Sequence, residues 1–252
     1  MDKLSICKEF PQTYEFFKDL KCSAFDDIIE HPDFIPTLIL PVWEEHFTFA
    51  NQNLDKQSYR ILKGKFENIS KSETFMDVFA ELLTADFLFK NIHPRPIVEF
   101  IKEIKSRTPD IKTIIKSQNV SIYVEVTRMS SESSHNDQLE REKLSQNEGK
   151  MIDVTEFRNN SFAALIDKLK GKKSQFCNCM ASFKIFVVVS NRFSMHSRDF
   201  EHIDRYYDLK SDFGPYVDGI LYFGCYGEKK LIYFNSNLKD LISNVEYYGH
   251  EN

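Results

Sequence analysis

The residues best suited by type and spacing to chemistry are two carboxylates, Asp110 and Glu125. From Val120 onward, apolar residues alternate with Ser, Tyr, Glu and Thr, which predicts a strand with one buried face and an opposite face bearing Glu125. A second β-favouring run follows Asp110, and a two-residue turn at 118–119 would join the two runs as a hairpin. In that register Asp110 and Glu125 are diagonal neighbours on one face. The spacing therefore predicts a pair of carboxylates that could share one cation.

The chemistry of such a pair follows from its charge. Two half-buried carboxylates repel each other unless a proton or a cation lies between them. A ligand set made only of oxygen favours Mg²⁺ or Mn²⁺ over zinc. Such an ion polarises a phosphodiester and lowers the pKa of an attacking water. The pair therefore predicts a phosphodiester hydrolase, provided that the hairpin register does not slip by one residue and turn Asp110 away.

Glu81 lies in a segment with helical periodicity that begins at Ser72, the predicted N-cap, and continues to about Lys90. Phenylalanine, leucine and valine residues at helical spacing form one face of this segment. Glu81 falls on another face with Asp77 and Thr84. The pattern therefore predicts an amphipathic helix with a polar side that carries Glu81.

The remaining segments indicate further helices and strands around these residues. Residues 97–105 fit the strand and helix patterns about equally, and the hairpin that follows favours a strand. Residues 1–70 are mostly helical in pattern, which predicts a helical appendage before a core of residues 71–252. The later elements are a polar loop at 129–150, a helix at 156–176, a buried strand at 184–189, a hairpin at 219–234 and a short helix at 238–245.

In their order along the chain, these features resemble the PD-(D/E)XK, or restriction-endonuclease-like, nuclease superfamily. The resemblance is carried by Thr108-Pro109-Asp110, the hairpin, Val124-Glu125-Val126-Thr127 and the earlier helix with Glu81, and it covers about residues 72–190. It implies an α/β fold with an αβββαβ core, in which helices flank a mixed central sheet. It also implies metal ligands at Glu81, Asp110 and Glu125, with Mg²⁺ or Mn²⁺ as the cofactor.

The sequence departs from this family at Thr127, where the family normally has a lysine. Related nucleases sometimes supply that lysine from the following helix. Here Lys168, Lys172 and Gln175 have the i, i+4, i+7 spacing of one polar stripe. Lys172 is the first candidate for a migrated catalytic lysine, Lys168 is the second, and Arg128 is a weaker third.

The predicted nucleic-acid contacts are Lys112, Arg128 and Gln175. Lys112 belongs to a basic cluster with four neighbours in sequence, which could contact phosphates beside the site. The same cluster could equally be an exposed sheet edge kept soluble by its charge. The other members of the cluster are Lys102, Lys105, Arg107 and Lys116.

Composition excludes several classes of protein. Apolar residues make up 42% of the 252 residues, with 23 Phe and 11 Tyr, which is too hydrophobic for a disordered chain. The net charge of −5 provides no global field for nucleic acid, so phosphate contacts would need a local basic patch. No apolar stretch is long enough for a membrane span or a signal peptide, so a cytoplasmic protein with reduced cysteines is expected. Walker A, GxGxxG and GxSxG motifs are absent from the sequence.

The sequence thus predicts a Mg²⁺-dependent DNA endonuclease in a restriction, defence or mobile-element setting, with RNA as the less favoured substrate. One alternative is a nuclease-fold protein that has lost catalysis and acts as a nucleic-acid-binding or protein-interaction module. Thr127 is the best support for that alternative. A third interpretation is an interaction protein whose surplus of Phe and Tyr forms an exposed patch. A homodimer or a protein partner is compatible with all three.

Overall fold

The structure is a computed structural model that describes residues 8–31, 36–102, 108–129, 165–176, 179–190, 208–224 and 227–249. The chain divides into two compact units. The first comprises Met1–Ile104 and Asp110–Ser121, and the second comprises Lys105–Pro109 and Ile122–Asn252. This division does not follow the predicted boundary at residue 70, because the first unit continues through the next helix and two strands.

The first unit begins with helices, as the sequence pattern predicts for residues 1–70. Asp55 caps one of them, since its carboxylate accepts a hydrogen bond from the backbone N–H of Ser58 at 2.7 Å. Ser72 is the first residue of the last helix and not its N-cap, which is Lys71 and makes no side-chain capping bond. None of the described helices is both long enough and apolar enough to cross a membrane. The helices are α1 (Pro11–Phe17), α2 (Ser23–Glu30), α3 (Pro36–Asn53), α4 (Lys56–Phe66) and α5 (Ser72–Asn91).

Phenylalanine rings hold these helices together. Phe16 of α1 packs against Phe47 of α3 with ring centroids 4.7 Å apart, and Phe66 of α4 packs against Phe75 of α5 at 5.1 Å. All four rings are fully buried. The helix α5 joins this core because its apolar face contacts the earlier helices, and for this reason the unit does not end at residue 70. Among the described residues, the exposed large hydrophobic side chains include no phenylalanine, but the rings of Tyr216 and Tyr247 are exposed. The interpretation as an interaction protein stays a prediction.

Two strands complete the first unit. β1 (Ile97–Phe100) pairs with β2 (Ile111–Ile115) in antiparallel register, with Phe100 opposite Ile111. This pairing confirms the strand interpretation for the start of residues 97–105. The connection after β2 is a single 3₁₀ turn over Lys116–Gln118, followed by Asn119 in the left-handed region at φ 52°.

The predicted two-residue turn at 118–119 is therefore wrong. The connection occupies residues 116–119, so Ser117 lies in the turn and not opposite Val120. Asn119 explains the difference, because asparagine tolerates positive φ and its N–H donates to the Lys116 carbonyl at 3.3 Å. The register assumed for Asp110 and Glu125 from a two-residue turn consequently does not apply.

The second unit is a mixed α/β sheet. β3 is parallel to β4, β4 is parallel to β5, β5 is antiparallel to β6, and β6 is parallel to β7. A helix over residues 165–172 lies between β3 and β4 in the chain, as a parallel connection requires, and continues as a 3₁₀ turn, Lys173–Phe176. The strands are β3 (Val120–Met129), β4 (Phe183–Ser190), β5 (Gly219–Phe223), β6 (Lys229–Tyr233) and β7 (Glu246–Gly249).

Sequence patterns predict several described elements of the second unit correctly. The buried strand at 184–189 and the hairpin of β5 with β6 are confirmed. The predicted helix at 238–245 is wrong in extent, because a one-turn helix, α7 (Ser236–Lys239), is followed by β7, which pairs with β6. Another short helix, α6 (Leu209–Phe213), packs with the 165–172 helix against Phe186 and Tyr222 of the sheet. The predicted loop lies outside the described residues from position 130 onward, as does the predicted helix before position 165.

The aromatic core gives the first testable expectation. Phe66→Ala removes a fully buried ring and should lower the free energy of unfolding by about 3–5 kcal/mol, measured by urea denaturation. Leu38→Ala on α3 is the matched control, because Leu38 is 59% exposed and should change stability by less than about 0.5 kcal/mol. Equal effects of the two substitutions would contradict the assignment of these rings as the core.

Candidate functional site

Glu125 is a carboxylate inside the sheet of the second unit. The strand β3 runs beside β4, and Glu125 lies opposite Phe186 in the parallel register. A strand that is covered on both faces buries the side chains of both faces. Glu125 and Thr127 are accordingly only 2% and 1% exposed. The predicted polar face of β3 is therefore buried at these two positions.

Lys172 provides the countercharge for Glu125. It belongs to the helix at 165–172, and its Nζ lies 2.5 Å from Glu125 Oε1 and 2.6 Å from the carbonyl oxygen of Val126. The Lys172 side chain is 26% exposed, so its ammonium joins the buried carboxylate to a partly solvated surface. Burial of a lone carboxylate is very costly, and this contact offsets the cost. The structure thus brings together the two residues that the sequence analysis selects as strand carboxylate and migrated lysine.

Two buried polar atoms lie near this pair in sequence. Thr127 is two residues beyond Glu125, on the same face of β3, and its Oγ1 has no hydrogen-bond partner among the described residues. The Oε1 atom of Gln175, in the 3₁₀ turn after Lys172, is also buried and has no hydrogen-bond partner among the described residues. Buried polar groups in native proteins are nearly always satisfied, so water, an ion or a ligand is expected at such atoms.

Lys168 and Lys112, two other residues predicted for the site, have contacts of their own. Lys168 donates to the backbone carbonyl of Arg128 at 2.8 Å, at the end of β3. Lys112 lies opposite Glu99 in the pairing of β1 with β2, and its Nζ is 3.7 Å from Glu99 Oε2. The predicted position of Lys112 opposite Glu125 was based on the two-residue turn and loses that support. Within the basic cluster, Lys105 and Arg107 lie outside the described residues.

A second charged group lies in the first unit. Lys65, at the end of α4, donates from Nζ to Oε2 of Glu81 on α5, and the same Nζ is 3.7 Å from Oδ1 of Asp110, just before β2. The three side chains are 19%, 14% and 21% exposed, respectively. One ammonium therefore bridges Glu81 and Asp110, two of the three carboxylates predicted from the sequence to bind a metal.

Sequence reasoning did not identify Lys65. A signal was available in helical spacing, because Lys65 is seven residues after the buried Ser58 and three after the buried Leu62. This spacing places Lys65 on the inner side of α4, whereas its neighbour Lys63 is on the outer side. A lysine on a buried side requires an anion, and Glu81 and Asp110 are the anions that it meets.

The donor chemistry of this group suits a hard divalent cation. The carboxylate oxygens of Glu81 and Asp110 surround the Lys65 ammonium. Mg²⁺ is commonly held by only one or two carboxylates together with water. Over the described parts of the chain, no group of three or more His, Cys, Asp or Glu side chains is arranged to hold a metal. The predicted ligand set of Glu81, Asp110 and Glu125 therefore stays a prediction.

No protein-family model, curated protein or solved structure was found to match this chain. Membership of the restriction-endonuclease-like superfamily consequently stays a prediction. The two charged groups, Lys172 with Glu125 and Lys65 with Glu81 and Asp110, are interpreted from their own contacts.

The buried pair gives the second expectation. Lys172→Met leaves the Glu125 carboxylate buried without its ammonium, and should lower the free energy of unfolding by about 2–3 kcal/mol in urea denaturation. Lys170→Met is the control on the same helix, because Lys170 Nζ is 3.8 Å from Asp212 Oδ2 and both side chains are exposed. That control should cost less than about 1 kcal/mol.

A double variant separates charge from packing. Glu125→Gln combined with Lys172→Met removes both charges and should recover most of the stability lost in the single lysine variant. A double variant as unstable as the sum of its two single variants would show that the Lys172 contact does not compensate the Glu125 charge.

Proposed function

We propose that this chain is a divalent-metal-dependent nuclease of the PD-(D/E)XK kind that hydrolyses phosphodiester bonds, with DNA as the favoured substrate. The observation that carries the proposal is the contact of Lys172 with Glu125. The resemblance to this superfamily requires a lysine at the strand carboxylate, and Thr127 leaves that requirement unmet within the strand. Lys172 supplies the ammonium from the following helix.

The order of elements supports the same proposal. From α5 onward the chain runs through β1, β2 and β3, then through the helix at 165–172 to β4, which is the order αβββαβ. The strands β3 and β4 are parallel neighbours, as they are expected to be when a helix connects them. This order is what the superfamily resemblance implies for residues 72–190.

The chemistry follows from the charges of the chain's own residues. Lys172 is a fixed ammonium beside Glu125, and it can orient an attacking water and stabilise the negative charge that develops on a phosphate. Glu125 can accept a proton from that water or contribute an oxygen ligand. A bound Mg²⁺ or Mn²⁺ would polarise the phosphate and lower the pKa of water. Glu81 and Asp110 would hold the ion once Lys65 moves from its bridging position.

A cleavage assay tests this proposal. Wild-type protein should cut plasmid DNA with Mg²⁺ or Mn²⁺ and not in EDTA, and Asp110→Asn, Glu125→Gln and Lys172→Met should each reduce the rate by about 100-fold or more. Lys170→Met, with the same chemical change two residues away, should retain the wild-type rate. Metal-dependent cutting that survives Lys172→Met would remove Lys172 from the mechanism.

The bridging role of Lys65 has a separate test that needs no cleavage. Lys65→Met leaves two carboxylates without their shared cation, so the affinity for Mn²⁺ in calorimetric titration should rise by about tenfold or more, since one nearby charge is worth over 1.4 kcal/mol. Lys63→Met, on the outer side of α4, should leave the Mn²⁺ affinity unchanged. An affinity that Lys65→Met does not alter, or that Glu81→Gln does not weaken, would contradict a metal position at this group.

A nuclease-fold protein without catalytic activity is the second candidate. Thr127 in place of the lysine favours it, as does the Lys65 ammonium on the two carboxylates. Its signature would be well-folded wild type that binds nucleic acid but cuts neither DNA nor RNA with either metal. A restriction, defence or mobile-element setting, a cytoplasmic location and homodimer formation are parts of the proposal that rest on analogy of fold.

A further inference from the structure

The helix α4 carries the most concentrated positive charge of the first unit. Its sequence, KQSYRILKGKF, contains four basic residues and no acidic residue, in a chain whose net charge is −5. Acidic side chains stand only at its two ends, as the N-cap Asp55 and the C-cap Glu67. A helix of this composition produces a local positive field in an otherwise acidic protein.

Three of the four basic side chains form one stripe. Lys56, Arg60 and Lys63 follow the i, i+4, i+7 spacing of a single helix face, opposite the buried Ser58 and Leu62. Lys56 and Arg60 are exposed and Lys63 is half-buried. The fourth basic residue is on the other side of the helix with Glu81, so it does not belong to the stripe.

The stripe is available to a partner. Among the described residues, no ion pair involves Lys56, Arg60 or Lys63. The Nζ of Lys63 lies over the rings of Tyr59 and Phe16, at 5.5 and 5.7 Å from their centroids, which fixes the position of its charge. The exposed neutral residues Gln57 and Gly64 lie beside the stripe, and the exposed carboxylates of Asp55 and Glu67 adjoin its two ends.

The shape and chemistry of the stripe favour duplex phosphate. Seven residues of helix rise by about 10 Å, which matches the axial rise of about three nucleotides on one strand of a duplex. No exposed apolar residue on α4 could enter a lipid surface, because Leu62 and Phe66 are buried. Tyr59 is half-buried and packs on Phe16, so the stripe lacks an aromatic platform for unstacked bases.

We infer that Lys56, Arg60 and Lys63 form a docking stripe for the phosphate backbone of double-stranded DNA, through which the first unit holds the substrate of the proposed nuclease. The inference rests on the proposed function, because it takes the bound DNA to be the nuclease substrate. Binding of the DNA backbone to the stripe can nevertheless be measured without any cleavage. Three phosphate contacts without base contacts give affinity that is independent of sequence and strongly dependent on salt.

The experiment measures binding of the full chain to a fluorescein-labelled DNA duplex in EDTA, by anisotropy over a series of KCl concentrations. The test variant carries Lys56→Gln, Arg60→Gln and Lys63→Gln. The control variant carries Lys8→Gln, Lys71→Gln and Lys239→Gln, which removes the same charge from exposed lysines elsewhere. Circular dichroism and urea denaturation establish that both variants are folded.

The test variant should reduce the slope of log affinity against log salt by about 2–3, because each phosphate contact contributes about 0.9. Its affinity at low salt should fall about tenfold or more, while the control variant keeps the wild-type slope. Three results would each overturn the inference. The two variants could have equal slopes, or the wild type could fail to bind the duplex. The stripe could also bind phosphatidylserine vesicles or polyglutamate in place of DNA.

Cleavage distinguishes this inference from the proposed function. Stripe-dependent binding by a wild type that never cuts would support the stripe and remove the nuclease. Metal-dependent cutting that requires Glu125, combined with binding that is unaffected in the stripe variant, would support the nuclease and remove the stripe.

Discussion

The contact between the Lys172 ammonium and the buried Glu125 carboxylate is the constraint around which the second unit is organised. Because β3 lies beside the parallel β4, its central residues are buried on both faces, and a carboxylate there requires a countercharge. The helix between the two strands provides it at 2.5 Å. Removal of the ammonium alone leaves the Glu125 carboxylate buried without a countercharge, whereas the Lys172 side chain is 26% exposed and reaches water. A buried ion pair contributes little net stability relative to apolar residues of the same volume, although loss of one partner is costly.

In the first unit, too, a lysine ammonium compensates the charge of carboxylates. Lys65 bridges Glu81 and Asp110, and all three side chains are largely shielded from water. An ammonium in this position satisfies the requirement that a divalent cation would satisfy in an active nuclease, because two close carboxylates need positive charge between them. The contacts by themselves describe an ion-pair group, and a metal at Glu81 and Asp110 belongs to the proposed function.

The aromatic composition has a structural explanation. Rings from α1, α3 and α4 pack edge to face, and Phe75 of α5 adds a tilted contact with Phe66. Most of the surplus of phenylalanine in the described part of the first unit therefore stabilises helices. This packing leaves the outer face of α4 polar and basic.

The strands and helices with strong periodicity, including β3, α5 and the buried β4, could be predicted from the sequence, because alternation and helical spacing are local properties. It also identified Glu125 and Lys172, since a carboxylate inside an apolar strand and a lysine stripe on the next helix are visible as patterns. The turn at Asn119, the burial of Thr127 and the bridging position of Lys65 became visible only in the folded chain. Those features depend on which elements become neighbours in space, and hydrophobic periodicity carries no information about the partner that a charged side chain meets.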